Sequence, residues 1–326
     1  MAHDVIVIGA GLAGLNAALA LEAAGARVRV LEAQQRVGGR IHSMGQHGST
    51  TEAGGTFIGA GYARVIAAAE RYGVQLIDVT PLLQFFREQD LVLGGETIRQ
   101  RDWPTHPRNP FPARDKEQLP WNYHRVLTMR DNPIAAPEDW LAPEHAALDV
   151  SAHDWLKTLG LSDSAIAVAY GINPSYGRDA RDVSALLLLF RGAFSRAQRT
   201  HAPKDSIGFT AQRGVQRIPE AMRDALRGEV QHGCDVTEIA ATAGGLEVRC
   251  ANGARFAARH VVAAIPPGVL RRIAIDPPLP AAQAAAVASV PSQPLTQVYL
   301  RPKSRFWEAD GYAPSLFTDT RAGMIA

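Results

Sequence analysis

The sequence predicts an α/β fold in which a parallel-sheet domain is interleaved with an α+β domain. Three observations carry that prediction. The chain opens on a strand pattern, a glycine loop, a helix pattern and a second strand pattern within its first 32 residues. Sheet texture returns after a long helical and irregular middle, so the chain leaves its first domain and comes back to it. Its 326 residues are about twice the size of one ordinary domain.

Composition narrows the function classes. Hydrophobic residues make up 46% and charged residues 20%, as in globular proteins with a buried core. Lys plus Arg number 34 against 32 for Asp plus Glu, a net charge of +2. That balance gives no electrostatic reason to expect a nucleic-acid partner. Cys234 and Cys250 share no CxxC spacing, and the ten histidines show no HExxH or other ligand spacing, so no metal site is expected. His42, His47, His106 and His124 fall in loop-like contexts and read as solvated or hydrogen-bonded structural residues. Asp4 stands where a secretory signal would be positive, and Gly9, Gly11 and Gly14 interrupt the apolar run, which argues against a signal peptide. The longest other apolar run, Ala185 to Phe190, is far short of the ~20 residues that span a bilayer. A reducing, cytoplasmic setting is expected.

The elements follow in order. Val5-Ile6-Val7-Ile8 is a β-branched run suited to a buried parallel strand, the Ala/Leu stretch to Ala24 is a strong helix former, and Val28-Arg29-Val30-Leu31 repeats the strand pattern. Helical texture covers Ala63 to Tyr72. The stretch from Leu82 to Asn132, with Trp103-Pro104, Pro110, Pro112 and Pro120-Trp121, lacks periodicity and reads as loops. Helices are predicted over Ser151 to Leu159, Ser162 to Tyr170 and Asp182 to Ser195. Strands are predicted over Gly228 to Ile239, Leu246 to Cys250, Ala254 to Ala257 and from His260 to Ile265, with Asn252-Gly253 as a hairpin turn. A helix to about Val290 and a strand over Leu295 to Leu300 complete the reading. Trp103, Trp121, Trp140 and Trp155 are expected to pack in the second domain.

The first βα turn, Gly9-Ala-Gly11-Leu12-Ala13-Gly14, is a dinucleotide fingerprint. Gly9 permits the tight turn, Gly11 lets backbone approach a pyrophosphate, and Gly14 lets the helix pack on the strand. Glu32, at the end of the second strand, is placed to accept hydrogen bonds from a ribose. In Glu32-Ala33-Gln-Gln-Arg36-Val37-Gly38-Gly39-Arg40, a glycine pair again allows main chain to approach phosphate, and an arginine supplies a bidentate charge.

At this point the sequence resembles the flavin-containing amine oxidase family, which includes monoamine, polyamine and L-amino-acid oxidases. Glu52-Ala53-Gly54-Gly55-Thr56-Phe57-Ile58, Arg213-Gly214-Val-Gln-Arg-Ile218-Pro219, the strand around Val236, and Ala264-Ile-Pro-Pro-Gly-Val-Leu270 carry the same likeness. The resemblance implies a Rossmann-like FAD-binding domain and FAD contacts at Gly9, Gly11, Leu12, Ala13, Gly14, Glu32, Ala33, Gly38, Gly39, Arg40, Gly54, Gly55, Thr56, Phe57 and Val236. It implies a discontinuous FAD domain over 1–78 and 205–272, with a substrate domain over 79–204 and 273–326. It also implies the activity: an amine C–H passes a hydride to flavin N5, the imine hydrolyses, and O2 reoxidises the flavin to give H2O2.

Two departures bear on that chemistry. Many relatives hold a lysine nine residues before the Phe of a Phe-Trp pair, and counting back from Phe306-Trp307 gives Gln297. Gln297 is the candidate catalytic residue; its amide can hold a water but brings no charge and no titratable proton. Lys303, nearer to Phe306, reads as a solvated cation. Phe57 occupies the position where L-amino-acid oxidases bind the substrate carboxylate with arginine, and an apolar ring cannot pair a carboxylate. This favours a small-molecule amine as donor, unless Arg87, Arg191 or Arg196 supplies the charge.

Ser175-Tyr176-Gly177 and Ser195 lack a GxSxG elbow, so serine hydrolysis is not expected. Two alternatives stay open at this stage: an FAD-dependent desaturase or dehydrogenase with an acceptor other than oxygen, and a non-catalytic flavin-fold binding module. Relatives also continue into a late segment resembling "FAGE…T" that no stretch up to Ala326 matches. The sequence is therefore expected to be truncated before the C-terminal FAD segment, with its FAD site one wall short and FAD held weakly.

Overall fold

The computed structural model describes residues 3–46, 49–173, 179–203 and 205–326. His47 and Ser175, Tyr176 and Gly177 lie outside them. The chain divides into two compact units, Met1–Asp78 with Gly208–Ser292, and Val79–Ile207 with Gln293–Ala326.

In chain order the first unit begins with β1 (His3–Ile8), α1 (Leu12–Ala23), β2 (Val28–Leu31), β3 (His42–Gln46), β4 (Ser49–Gly54), β5 (Ile58–Gly59), α2 (Ala63–Arg71) and β6 (Leu76–Asp78). β1 is buried on both faces, which is why its sequence is apolar without alternation. Val5 and Val7 pack with Leu15 and Ala18 of α1, while Ile6 and Ile8 pack with Cys234 and Val248 on the other side.

The second unit opens with β7 (Gln89–Leu93) and β8 (Glu96–Ile98), a hairpin turned by Gly94 and Gly95, followed by α3 (Pro120–Arg130), α4 (Ala152–Thr158), α5 (Asp163–Tyr170) and α6 (Ala185–His201). The loop reading of Leu82 to Asn132 is thus corrected. Its Gly-Gly pair makes a hairpin between Asp90-Leu91-Val92-Leu93 and Glu96-Thr97-Ile98, and Pro120 sits in the first turn of α3, where a missing N–H costs nothing. Asp182 is also not the start of α6. A short 3-10 turn over Ala180–Asp182 precedes it, and the helix runs six residues past Ser195 to His201. Trp103 and Trp155 are buried in the core, Trp121 stacks on Phe317 at 4.9 Å, and Trp140 meets Phe190 at 4.9 Å.

The chain then returns to the first unit through β9 (Gly208–Ala211), α7 (Arg217–Asp224), β10 (Val230–Gln231), β11 (Val236–Thr242), β12 (Gly245–Cys250), β13 (Arg255–Ala263), α8 (Pro267–Leu270), β14 (Ala274–Asp276) and α9 (Ala281–Ser289). A seven-stranded sheet results, ordered β10-β2-β1-β13-β12-β11-β14, with β1 parallel to both β2 and β13. The strands predicted over Ala254 to Ala257 and from His260 merge into one continuous strand, β13, from Arg255 to Ala263. The compact unit extends to Ser292, past the boundary expected at 272, because β14 pairs with β11 and Arg271 donates to the Val287 and Val290 carbonyls at the end of α9. A smaller sheet, β5-β9-β6, joins the returning chain to the opening segment.

Within the second unit, α10 (Phe306–Ala309), β15 (Ser315–Thr318) and β16 (Met324–Ile325) complete the fold; β15 pairs in parallel with β7. The strand predicted over Leu295 to Leu300 is absent. That stretch is outside regular structure and exposed, with Leu300 at 84% exposure, because no neighbouring strand among the described residues satisfies its backbone.

Candidate functional site

The glycine loop closes as the fingerprint requires. Gly9 has φ 99°, and its N–H donates to the Leu31 carbonyl at 2.8 Å. A Cβ on Gly14 would stand 1.9 Å from the Gly9 carbonyl oxygen, so no other residue lets α1 leave β1 at this angle. A Cβ on Gly11 meets nothing nearer than the Gly38 carbonyl oxygen at 3.9 Å. Glycine at 11 therefore keeps a space open instead of avoiding a clash. No side chain caps α1, whose early N–H groups, at Leu12 and Ala13, are left for an external acceptor. This open cradle in front of an uncapped helix start fits a dinucleotide pyrophosphate.

The second glycine pair faces the first. The Gly38 N–H donates to the Ala10 carbonyl at 2.8 Å, and a Cβ on Gly39 would lie 3.4 Å from Gly11 Cα. Arg36, which the motif reading passed over, braces this loop: its guanidinium donates to the Ile41 and Gly39 carbonyls, each at 2.9 Å. Arg40, by contrast, is exposed.

Glu32 is buried, and its carboxylate oxygens accept the Ala10 and Gln34 N–H groups, each at 2.8 Å. It therefore shapes the loop as well as standing at its rim, and a carboxylate with about four acceptor positions keeps capacity for a hydroxyl. The Cys234 N–H donates to the Glu32 carbonyl at 2.9 Å, which brings the start of β11, with buried Val236, beside Glu32. Ala33 is exposed next to it.

The third segment folds over the second. A Cβ on Gly54 would lie 2.2 Å from the Arg40 carbonyl oxygen, and Gly55 has φ 77°. Thr56 and Phe57 are exposed, and the Phe57 ring lies over Gly208, where a Cβ would approach Phe57 Cζ to 2.5 Å. A group that no motif indicated locks this segment to the turn after β9. Buried Glu52 accepts the Val215 N–H at 2.9 Å and the Ser43 hydroxyl at 2.7 Å. The Ser43 oxygen accepts the Gln216 N–H at 3.0 Å, and Gln216 Oε1 accepts the Ser43 N–H at 3.1 Å. Val215 and Gln216 are more than 160 residues from Glu52 and Ser43 in sequence, so no local pattern could announce the link.

Thus the structure brings Gly9, Gly11, Leu12, Ala13, Gly14, Glu32, Ala33, Gly38, Gly39, Arg40, Gly54, Gly55, Thr56, Phe57 and Val236 into one unit. Gln297 belongs to the other, on the exposed stretch without regular structure. Of the arginines considered for a carboxylate, Arg196 is committed to the Ile134 carbonyl at 2.5 Å and Arg87 is exposed. No cluster of metal ligands occurs among the described residues, and no helix there is long and apolar enough to cross a membrane.

A family model described as flavin containing amine oxidoreductase matches residues 12–325. The chain is 28% identical over 337 residues to a flavin-containing amine oxidase of Danio rerio, covering 99% of this chain and 62% of that relative. It is 30% identical over 330 residues to a putative flavin-containing monoamine oxidase, AofH, of Mycobacterium tuberculosis, covering 97% and 68%. A putrescine oxidase solved with putrescine aligns with a TM-score of 0.69 at 25% identity, covering 98% of this chain and 70% of that one. The cyclohexylamine oxidase of Brevibacterium oxydans shares the fold, with a TM-score of 0.71 at 24% identity over 99% and 71%. The chain thus spans about 62% of the length of the first of these relatives.

Proposed function

The chain belongs to the flavin containing amine oxidoreductase family, whose cofactor is FAD, and on that premise we propose that it acts in the oxidation of a small amine. The observation that carries the proposal is the open cradle at Gly11, set between the uncapped start of α1 and the Gly38–Gly39 loop, with Glu32 at its rim.

FAD, when bound, supplies the two-electron acceptor for the C–H beside the amine nitrogen. The chain's own residues do the rest. The N–H groups of Leu12 and Ala13 and the charge of Arg40 receive phosphate, Glu32 takes a ribose hydroxyl, and main chain at Val236 borders the adenine. Gly54, Gly55, Thr56 and Phe57 meet the ring system. Phe57 brings an apolar surface, which suits an uncharged carbon skeleton; an aliphatic amine such as the putrescine seen in the solved neighbour is the donor class.

Oxygen is the proposed second substrate, giving H2O2. Gln297, at the place of the relatives' lysine by that resemblance, would offer an amide to hold a water and would bring no cation there. FAD titration followed by flavin fluorescence, then peroxide release with putrescine, tests the proposal; absence of FAD uptake would overturn it. Reduced flavin that persists in air would instead favour an acceptor other than oxygen. Gln297→Lys is expected to change the reoxidation rate, and an unchanged rate would remove Gln297 from the site. The free, buried thiols of Cys234 and Cys250 suit a reducing, cytoplasmic compartment.

A further inference from the structure

Among the described residues, Arg213 is the one non-glycine residue with left-handed backbone, at φ 65°. Glycine takes that conformation freely, whereas a residue with a Cβ is strained in it. The turn around it leaves no choice. The Gln212 N–H donates to the Gln75 carbonyl at 2.9 Å, and the Gly214 N–H to the Ala211 carbonyl at 2.9 Å. The Val215 and Gln216 N–H groups are held by Glu52 and Ser43 at 2.9 and 3.0 Å. Gly214 is wedged so closely that a Cβ on it would stand 2.5 Å from Ser43 Oγ.

All of these bonds are made by main chain or by neighbours, and each would form equally with glycine at 213. What arginine adds is its guanidinium. The side chain is exposed, and no described residue engages it by a hydrogen bond or ion pair. Strain that the surroundings impose, at a position where the side chain contributes nothing to the fold, is characteristic of a residue retained for a ligand. The helix α7 that follows the turn adjoins the second glycine pair, where a Cβ on Gly38 would meet Pro219 Cγ at 3.3 Å, and the turn itself, through Gly214, abuts Ser43 and Thr50 of the β3–β4 hairpin.

We propose that Arg213 is an anion-binding residue, held in its left-handed conformation by the Glu52–Ser43 anchor so that its guanidinium meets anionic oxygen atoms of a molecule bound at this face. A planar guanidinium matches either a phosphate of the dinucleotide or a carboxylate on the amine donor. The proposal rests on the cofactor reading above and deepens it.

Arg213→Gly and Arg213→Gln test it in the full chain. Arg213→Gly is expected to raise the apoprotein Tm by about 2 °C by relieving strain, while Arg213→Gln keeps the strain and should not. Both should lose the same binding. An FAD affinity weakened by about tenfold assigns the phosphate. Unchanged FAD affinity with loss of the spectral response of bound flavin to benzoate assigns the carboxylate. Variants that take up FAD and respond to benzoate as the wild type does would overturn the proposal alone. A wild type that takes up no FAD would overturn the cofactor reading and this proposal together.

Discussion

Glu22, Glu32 and Glu52 are buried in the first unit, and each accepts main-chain N–H groups from a loop: Arg227 and Gly228, Ala10 and Gln34, and Val215 respectively. Of the second unit's buried carboxylates, Asp115 is answered by side chains, the Tyr123 hydroxyl at 2.7 Å and Arg130 at 2.9 Å, whereas Asp90 accepts the Ala313 N–H at 2.9 Å and an Arg99 N–H at 3.0 Å. The Tyr123 ring lies in one buried cluster with Trp103, Phe111 and Leu127. The first unit thus uses all three of these buried carboxylates to fix the course of its backbone, and the second uses Asp90 in that way and Asp115 within a side-chain core. The difference matters because a main-chain cradle must hold its shape without side chains in the way, whereas a helical core needs only filled volume.

The largest expected effect breaks the first unit. Gly14→Val places a Cβ at 1.9 Å from the Gly9 carbonyl, so α1 cannot leave β1 as it does. We expect a loss of about 3 kcal/mol or more, seen in urea unfolding as disappearance of the first unit's transition. A nearly unchanged midpoint would mean that the loop yields and is not the rigid cradle described.

The second unit should fail by acid. His124 is buried, with its ring nitrogen 3.0 Å from the Ala169 carbonyl. Burial, opposed by that hydrogen bond, pulls its pKa down to about 4. The imidazole is neutral in the fold and takes a proton more readily once unfolded. Its contribution is therefore fully present above pH ~6.5 and is lost as pH falls towards 4, on the order of 3 kcal/mol. Urea midpoints at pH 7, 5.5 and 4 should fall in the wild type and fall less in His124→Gln; parallel slopes would contradict this.

A smaller effect sharpens the comparison. In Glu52→Gln the amide oxygen can still accept the Val215 N–H, but the other arm no longer accepts the Ser43 hydroxyl. A cost of about 1 kcal/mol is expected, with faster amide exchange at Gln216 than at Val215. Equal exchange at both would show that Glu52 does not couple the two segments through Ser43.

Legibility in the sequence followed the range of the interactions. The glycine fingerprint, Glu32 and the helices α4 and α5 are written in spacings of a few residues, because turn geometry, helix propensity and strand burial act locally, whereas α3 was hidden among prolines. The β7–β8 hairpin was also local in origin, in Gly94 and Gly95, but was hidden by the proline-rich stretch around it. Arg36 lay within the motif and could have been found by asking what holds a pair of left-handed glycines in place.

By itself the sequence determined the βαβ start, the glycines at 9, 11 and 14, and the family. Only the tertiary structure decided that Glu52 joins Ser43 to Val215, that Arg213 is forced into a glycine conformation, and that Leu295 to Leu300 is no strand. The reason is common to all three. A buried carboxylate, a strained turn and a strand edge are each defined by partners brought in from distant parts of the chain, and residue spacing carries no record of where such partners come to lie.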